Sequence, residues 1–167
     1  GLDEWLAGYG LSFTKSLVMD PQNANFAVPI SREVAGYQVQ EVAMLDYPFF
    51  VDVRFDDEAH SMVAGLPQVT VPWASPITIN SEQNKGRTVT ELLRSSARSW
   101  LGDGRDIMPQ MTASGLSPYL PQGAQASQLL AVMVEGRFDS FYAGKPSPLL
   151  ASAEENGEES EDAQAKA

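Results

Sequence analysis

The apolar residues of this chain fall in short runs, and this feature constrains its possible folds more than any other. Runs such as Leu129 to Val134 are only a few residues long, well below the roughly 20 residues that a membrane-spanning helix requires. Phe49, Val51, Val53 and Phe55 occupy alternate positions, which is typical of a strand with one buried face. The sequence therefore predicts a strand-rich chain in which no segment crosses a membrane.

Two short helices are predicted. The first covers Asp3 to Tyr9, where apolar residues are spaced three and four apart, and Gly10 follows at the position of a helix-ending glycine. The second begins at the acidic run Asp56 to Glu58, because acidic side chains favour the first turn of a helix, and it ends at Gly65.

Strands account for most of the remaining predicted elements. The polar stretch Gln22 to Asn25 is predicted as a loop, and Gly102 to Gln128, rich in glycine and proline, as a surface excursion. The predicted strands lie within Ser16 to Met19, Tyr37 to Phe55, Val69 to Trp73, Ile77 to Ile79, Thr88 to Leu101 and Gln128 to Tyr142. This order predicts an α+β or irregular α/β fold, with a mixed β-sheet and short covering helices.

The composition changes sharply near the C-terminus. Residues 1–150 are predicted to form a single domain, whereas residues 151–167 contain mainly Ala, Glu, Ser, Gly and Asp. Such a segment has almost no apolar surface to offset the entropy cost of ordering. We therefore predict a disordered acidic tail at residues 151–167.

The charge balance limits the classes of partner. The formal net charge is −11, with 22 acidic against 11 basic residues, and the bases are scattered along the chain. Proteins that bind nucleic acid neutralise phosphates with clustered lysine and arginine side chains. Nucleic acid is therefore not a predicted partner.

The residues needed for common catalytic centres are scarce. The chain has no cysteine and one histidine, His60, so a zinc site would have to rely on carboxylates. Nucleotide-binding glycine motifs and the serine hydrolase elbow are absent from the sequence. We predict no enzyme activity, no metal and no cofactor, with a degenerate hydrolase centred on His60 as a remaining alternative.

One polar cluster is a candidate ligand site. Hydroxyl and guanidinium groups alternate in Arg94, Ser95, Ser96, Arg98 and Ser99, and such groups are suited to binding an anion or a carboxylate. Trp73 and Trp100 are candidate platforms for a sugar ring. Packing in the core and exposure to solvent are the alternative interpretations of these residues.

Five segments occur in an order and spacing that resemble one protein family. These segments are Leu17 to Pro21, His60 to Leu66, Val71 to Ile77, Leu92 to Trp100 and Leu130 to Phe138. Together they resemble the GldG-like auxiliary components of gliding-motility-type ABC transporters.

This resemblance implies an extracytoplasmic, periplasmic domain of an inner-membrane protein, related to flavodoxin-like and class I amidotransferase-like domains. It also implies that the ABC permease and ATPase subunits are partners, and that the parent protein is anchored in the membrane by segments outside residues 1–167. Ser61 departs from the proline that often follows the histidine in this family. No catalytic residues are implied, so the expected role is non-enzymatic and based on protein–protein contacts, with small-ligand or glycan binding as the alternative.

Overall fold

The computed structural model describes residues 1–55, 60–110 and 118–145. Within these ranges it contains one helix and nine strands: α1 (Leu2–Gly8), β1 (Leu11–Phe13), β2 (Leu17–Met19), β3 (Asn23–Val34), β4 (Tyr37–Arg54), β5 (Gln68–Pro72), β6 (Ile77–Ile79), β7 (Thr88–Arg94), β8 (Trp100–Gly102) and β9 (Leu129–Glu135). The chain divides into two units, Gly1–Gly136 and Arg137–Ala167. In the described part of the second unit, Arg137 to Lys145, the Lys145 ammonium lies 3.6 Å from the centre of the Phe141 ring.

All described strand pairs are antiparallel. The strands pair as β1–β6, β2–β8, β3–β4–β5 and β7–β9. The predicted mixed sheet with covering helices, belonging to a flavodoxin-like or class I amidotransferase-like domain, is therefore wrong. A parallel sheet needs crossover connections, usually helical, and the only helix in the described residues has seven residues.

The longest pairing is the hairpin formed by β3 and β4. The turn residues Ala35 and Gly36 have φ values of 53° and 83°, the left-handed pair that suits a two-residue hairpin loop. The register is regular from Val34 opposite Tyr37 to Asn25 opposite Asp46. We call residues 25–46 the arm.

A bulge separates the arm from the core. The register changes between Asn25 and Asn23, so that Asn23 lies opposite Val51. The side-chain oxygen of Asn23 accepts a hydrogen bond of 3.0 Å from the backbone N–H of Tyr47. The carbonyl of Pro48 accepts a 3.0 Å bond from the N–H of Asp20. These bonds satisfy backbone groups that the interrupted ladder leaves without a strand partner.

The part of β4 beyond the arm, residues 47–54, contributes to both hydrophobic clusters of the described chain. One cluster consists of aliphatic residues: Val18, Val51, Val53 and Leu130. The other contains three aromatic residues and a methionine: Met19, Tyr47, Phe49 and Trp100. Because β2 also contributes to both clusters, its three residues are packed between β4 and the strands from the C-terminal half.

Several local predictions are confirmed. Helix α1 lies where the first helix was predicted, and the strand predictions at residues 17–19, 69–72 and 77–79 hold.

Gly10 has a φ of 75°, and a Cβ at this position would lie 2.4 Å from the side-chain nitrogen of Asn84. Glycine is therefore required at this position both by the backbone conformation and by the close packing.

Four local predictions are wrong in whole or in part. The strand predicted within Thr88 to Leu101 is interrupted, because residues 95–99 separate β7 from β8. Asn23 begins β3, so the predicted loop at Gln22 to Asn25 is partly strand. Residues 60–65 form turns and no helix, while residues 56–59 lie outside the described chain. Strand β9 ends at Glu135, because Gly136 has a φ of 144°, and so the predicted strand does not continue to Tyr142. The predicted tail at residues 151–167 also lies outside the described residues.

The two segments of the hairpin should differ in their tolerance of truncation. Val51 is completely buried, and Val51→Ala should lower the free energy of unfolding by about 2 to 3 kcal/mol through lost burial and a residual cavity. Val34→Ala, at the exposed end of the arm, should cost less than about 1 kcal/mol. Urea denaturation of both variants measures the difference, and equal losses would contradict this assignment of the core.

Candidate functional site

The predicted serine cluster forms the turn between β7 and β8. The hydroxyls of Ser95 and Ser99 are 2.7 Å apart, and that of Ser99 donates to the carbonyl of Ala126 over 2.6 Å. The backbone N–H of Gln128 donates to the Ser95 hydroxyl over 2.7 Å, and the Ser127 hydroxyl donates to the Ser95 carbonyl over 2.9 Å. Both central serines are buried. Their hydroxyls therefore connect the turn to the segment that enters β9.

Ser96 in the same turn contacts a buried carboxylate. Asp20, at the end of β2, is completely inaccessible to solvent. Its two carboxylate oxygens accept hydrogen bonds from the N–H of Ser96 over 2.6 Å, the hydroxyl of Ser96 over 2.7 Å and the N–H of Gln22 over 2.8 Å. A buried carboxylate is tolerated only when donors replace its hydration. Asp20 and Ser96 thus hold β2 to the serine turn.

The two predicted arginines lie on the surface. The guanidinium of Arg94 makes two hydrogen bonds to the carboxylate of Glu91, of 2.5 and 2.8 Å. These hydrogen bonds lower the pKa of Glu91 and raise the pKa of Arg94. Arg98 is exposed, and its backbone N–H donates to the Ser96 hydroxyl over 3.2 Å. Arg94 therefore forms an ion pair with Glu91 of the same strand, β7.

The two predicted tryptophans have different surroundings. Trp100 is only 3% exposed and belongs to the aromatic cluster of the core. Trp73 is 45% exposed, and its ring packs edge-on against Phe50 with 5.0 Å between ring centres. The Trp73 indole N–H donates to the Tyr47 hydroxyl over 3.3 Å. Of the two, only Trp73 presents a large aromatic surface to solvent.

Trp73 also has an unusual backbone conformation. Its φ is 49°, in the left-handed region that bulky residues rarely adopt. The backbone N–H of Trp73 donates to the carbonyl of Phe49 over 2.9 Å, so the end of β5 is tied to the bulge in β4. Such conformations cost on the order of 1–3 kcal/mol and persist where the surroundings fix them.

A cleft of about 580 Å³ lies next to Trp100. The residues that line it include Phe49, Tyr119, Asp103 and Asp106. Tyr119 donates a hydrogen bond to the carbonyl of Met108. Partial burial, together with electrostatic interactions with Tyr47 and Asp106, raises the pKa of the Tyr119 phenol to about 12.

The buried carboxylate was not found by sequence reasoning. In the sequence, Asp20 is distinguished only by its place between the predicted strand at Ser16 to Met19 and Pro21. Its partner Ser96 is 76 residues away in the sequence, and no local pattern connects the two positions. The one available signal was an acidic residue placed directly after the apolar run Leu17 to Met19.

The described residues contain neither a cluster of metal-binding side chains nor a membrane-spanning helix. Across residues 1–55, 60–110 and 118–145, no group of three or more His, Cys, Asp or Glu side chains is arranged to hold a metal ion. In the same part of the chain, no helix is long and apolar enough to span a membrane.

The fold and the polar contacts define a small antiparallel β protein, in which the predicted serine cluster is part of the internal hydrogen bonding. A family model described as an ABC-type uncharacterized transport system matches residues 1–166. The chain therefore belongs to this family of auxiliary components of ABC-type transport systems. Searches of curated proteins and of solved structures found no match. The match confirms the predicted family at the level of ABC transport.

The buried carboxylate should be more important for stability than an exposed one on a neighbouring strand. Asp20→Asn replaces one carboxylate oxygen, an acceptor, by an NH₂ group, which is a donor. This NH₂ group would face the N–H groups of Gln22 or Ser96, and the buried mismatch should lower the free energy of unfolding by about 2 to 4 kcal/mol. Asp46→Asn, at an exposed position of β4, should change it by less than about 0.5 kcal/mol. Chemical denaturation at neutral pH tests this, and a stability of Asp20→Asn equal to wild type would contradict a structural role.

Proposed function

We propose that this chain is a non-enzymatic extracytoplasmic accessory domain of an ABC transport system, resembling the gliding-motility auxiliary components. The domain is periplasmic and acts through protein–protein contacts within a transport system that includes the permease and ATPase subunits. Its parent protein is anchored in the inner membrane. Membership of the ABC transport family supports the transport role. The single structural observation that carries the contact role is the exposed, rigidly held Trp73.

Trp73 has the properties of an interface anchor. Tryptophan is enriched among the residues that dominate binding energy, because it buries a large area and loses little conformational freedom. Two hydrogen bonds and the Phe50 ring fix the position of Trp73, so little entropy remains to be lost when a partner binds. We therefore assign Trp73 and the adjoining edge of Phe50 as the contact with the transporter.

Trp5 supplies a matched control for this assignment. It is 42% exposed, nearly the same as Trp73, and it packs edge-on against Tyr9 with 5.0 Å between ring centres. Trp5 lies on α1, whereas Trp73 follows β5. The two substitutions remove similar exposed aromatic surfaces at different places.

Affinity capture of the full-length parent protein from detergent-solubilised membranes tests the proposal. We expect wild type and Trp5→Ala to retain the permease and ATPase subunits equally, and Trp73→Ala to reduce their recovery about tenfold or more. Absence of both subunits from the wild-type sample would overturn the transport contact. Equal recovery with Trp5→Ala and Trp73→Ala would overturn the assignment of Trp73 while leaving the transport role intact.

A second candidate function is the binding of a small ligand or glycan. The specific observation in its favour is the cleft beside Trp100, where aromatic side chains and the carboxylates of Asp103 and Asp106 line the same space. Aromatic faces combined with a few polar groups are typical of small-molecule sites. The predicted ligand residues stay part of this hypothesis: Arg94 ends β7, and Ser95, Ser96 and Arg98 lie in the turn that follows it.

Thermal unfolding in the presence of sugars and small anions tests the second candidate. A ligand that binds only the folded chain must raise the melting temperature as its concentration increases. We expect Asp106→Asn to reduce the shift caused by a sugar in the cleft, because Asp106 lines it, while Asp46→Asn, on the arm, leaves the shift unchanged. A screen in which no compound changes the melting temperature would contradict this function.

A further inference from the structure

The arm has two free edges that differ in their capacity to accept another strand. Strand β5 covers β4 only from Phe50 to Arg54, so residues 37–46 of β4 have no strand on their outer side among the described residues. The outer side of β3 is likewise not paired with another described strand. A two-stranded hairpin of this kind is marginally stable in water without further contacts.

The backbone groups that face outward can be identified from the turn. In a two-residue hairpin, the residues flanking the loop, here Val34 and Tyr37, form a hydrogen-bonded pair, and such pairs then alternate along the ladder. Pro29 lies opposite Val42, and this alternation makes them a pair without mutual hydrogen bonds. Pro29 has no N–H to donate, which agrees with this alternation. In a pair without mutual hydrogen bonds, the backbone nitrogen of Pro29 points away from β4, so no hydrogen bond within the hairpin is lost.

The edge of β3 is therefore blocked, and the edge of β4 is open. Pro29 removes the central outward donor of β3 and so protects this edge from pairing. On β4 the outward N–H and C=O groups belong to Gln38, Gln40, Val42, Met44 and Asp46, and this stretch contains neither proline nor lysine. The side chains of Val42 and Met44 are 67% and 61% exposed. An edge of this length that exposes Val42 and Met44 and carries neither proline nor lysine is a site for strand addition.

We propose that the β4 edge pairs with the β4 edge of a second copy of this chain, in an antiparallel arrangement centred on Val42. The outward N–H and C=O groups of β4 belong to its even-numbered residues. Two β4 edges can therefore exchange hydrogen bonds only if even-numbered residues of one copy lie opposite even-numbered residues of the other. Centring on Val42 places Gln38 opposite Asp46 of the second copy, and Gln40 opposite Met44 of the second copy. This register pairs the whole stretch from Gln38 to Asp46. Centring on Met44 would place Gln40 opposite Pro48, which has no N–H to donate.

This register avoids repulsion between like charges at the proposed contact. The carboxylate of Asp46 meets the amide of Gln38, and Glu41 meets Ala43, so no acidic side chain lies directly opposite another. Like charges directly opposite would oppose pairing. The ion pair between Arg32 and Glu41, with 2.8 Å between nitrogen and oxygen, stays within each arm. The product is a continuous four-stranded sheet with the order β3–β4–β4–β3 and two-fold symmetry.

The small area of this interface determines the affinity that we expect for the dimer. Stable complexes typically bury about 800 Å² on each partner, and a single strand edge buries less. The association should therefore be reversible and visible in the micromolar range. Sedimentation velocity of the chain, from low micromolar to several hundred micromolar, should show a monomer–dimer equilibrium.

Two proline variants test the edge. Val42→Pro removes the outward N–H from the centre of the proposed contact but no hydrogen bond within the hairpin, and should weaken dimerisation by more than about tenfold through two lost hydrogen bonds. Ser31→Pro is the matched control, because Ser31 lies opposite Gln40 and its N–H faces outward from β3. This control should dimerise like wild type, and circular dichroism verifies that both variants are folded.

A cysteine scan supplies an independent test, since the chain has no native cysteine. Residues in a hydrogen-bonded antiparallel pair have Cα atoms about 5.5 Å apart, within the range of a disulfide. Val42→Cys should oxidise rapidly to a covalent dimer, and Ser31→Cys should not. A chain that stays monomeric at every concentration, equal oxidation of the two cysteine variants, or undiminished dimerisation of Val42→Pro would each overturn the proposal.

Discussion

The carboxylate of Asp20, removed from water at the end of β2, is the constraint on which the arrangement of the larger unit depends. A buried charge is costly unless donors surround it, and here the donors come from Gln22 and from Ser96 in the distant serine turn. The same residue uses its backbone N–H to bind the carbonyl of Pro48 in the bulge of β4. One residue thus fixes β2 to both the hairpin and the C-terminal strands.

The serine turn extends this network. Ser95 and Ser99 carry it to the segment preceding β9, and Trp100, directly after Ser99, enters the aromatic cluster with Met19 and Tyr47. Within residues 1–55, 60–110 and 118–145, no buried side-chain nitrogen or oxygen lacks a hydrogen-bond partner. The hydroxyls that suggested a ligand site from sequence are therefore also the groups that join the small sheets, and ligand binding at them stays a prediction.

The sequence predicted individual strands better than their organisation. Alternation around Val51 and Val53 indicated a half-buried strand, and α1 followed from its apolar spacing, because both signals are local. The long β3–β4 hairpin was missed, since Pro29 interrupts the β pattern and the turn uses Ala35–Gly36 in place of an asparagine-glycine pair. The fold class was wrong because β2 with β8 and β1 with β6 pair over long separations, which periodicity cannot reveal. The packing of Trp73 depends likewise on a bulge that no local pattern marks.

These long-range pairings also affect the order of folding. Leu17 pairs with Gly102, and Leu11 with Ile79, so the N-terminal strands cannot be completed until much of the chain has left the ribosome. The arm is a local hairpin, a motif that forms within microseconds, whereas non-local pairings form slowly. During synthesis we therefore expect the arm to form transiently before the core that anchors it, with Val42 and Met44 exposed. Pro29 then acts as a kinetic safeguard that leaves one of the two arm edges unable to begin aggregation.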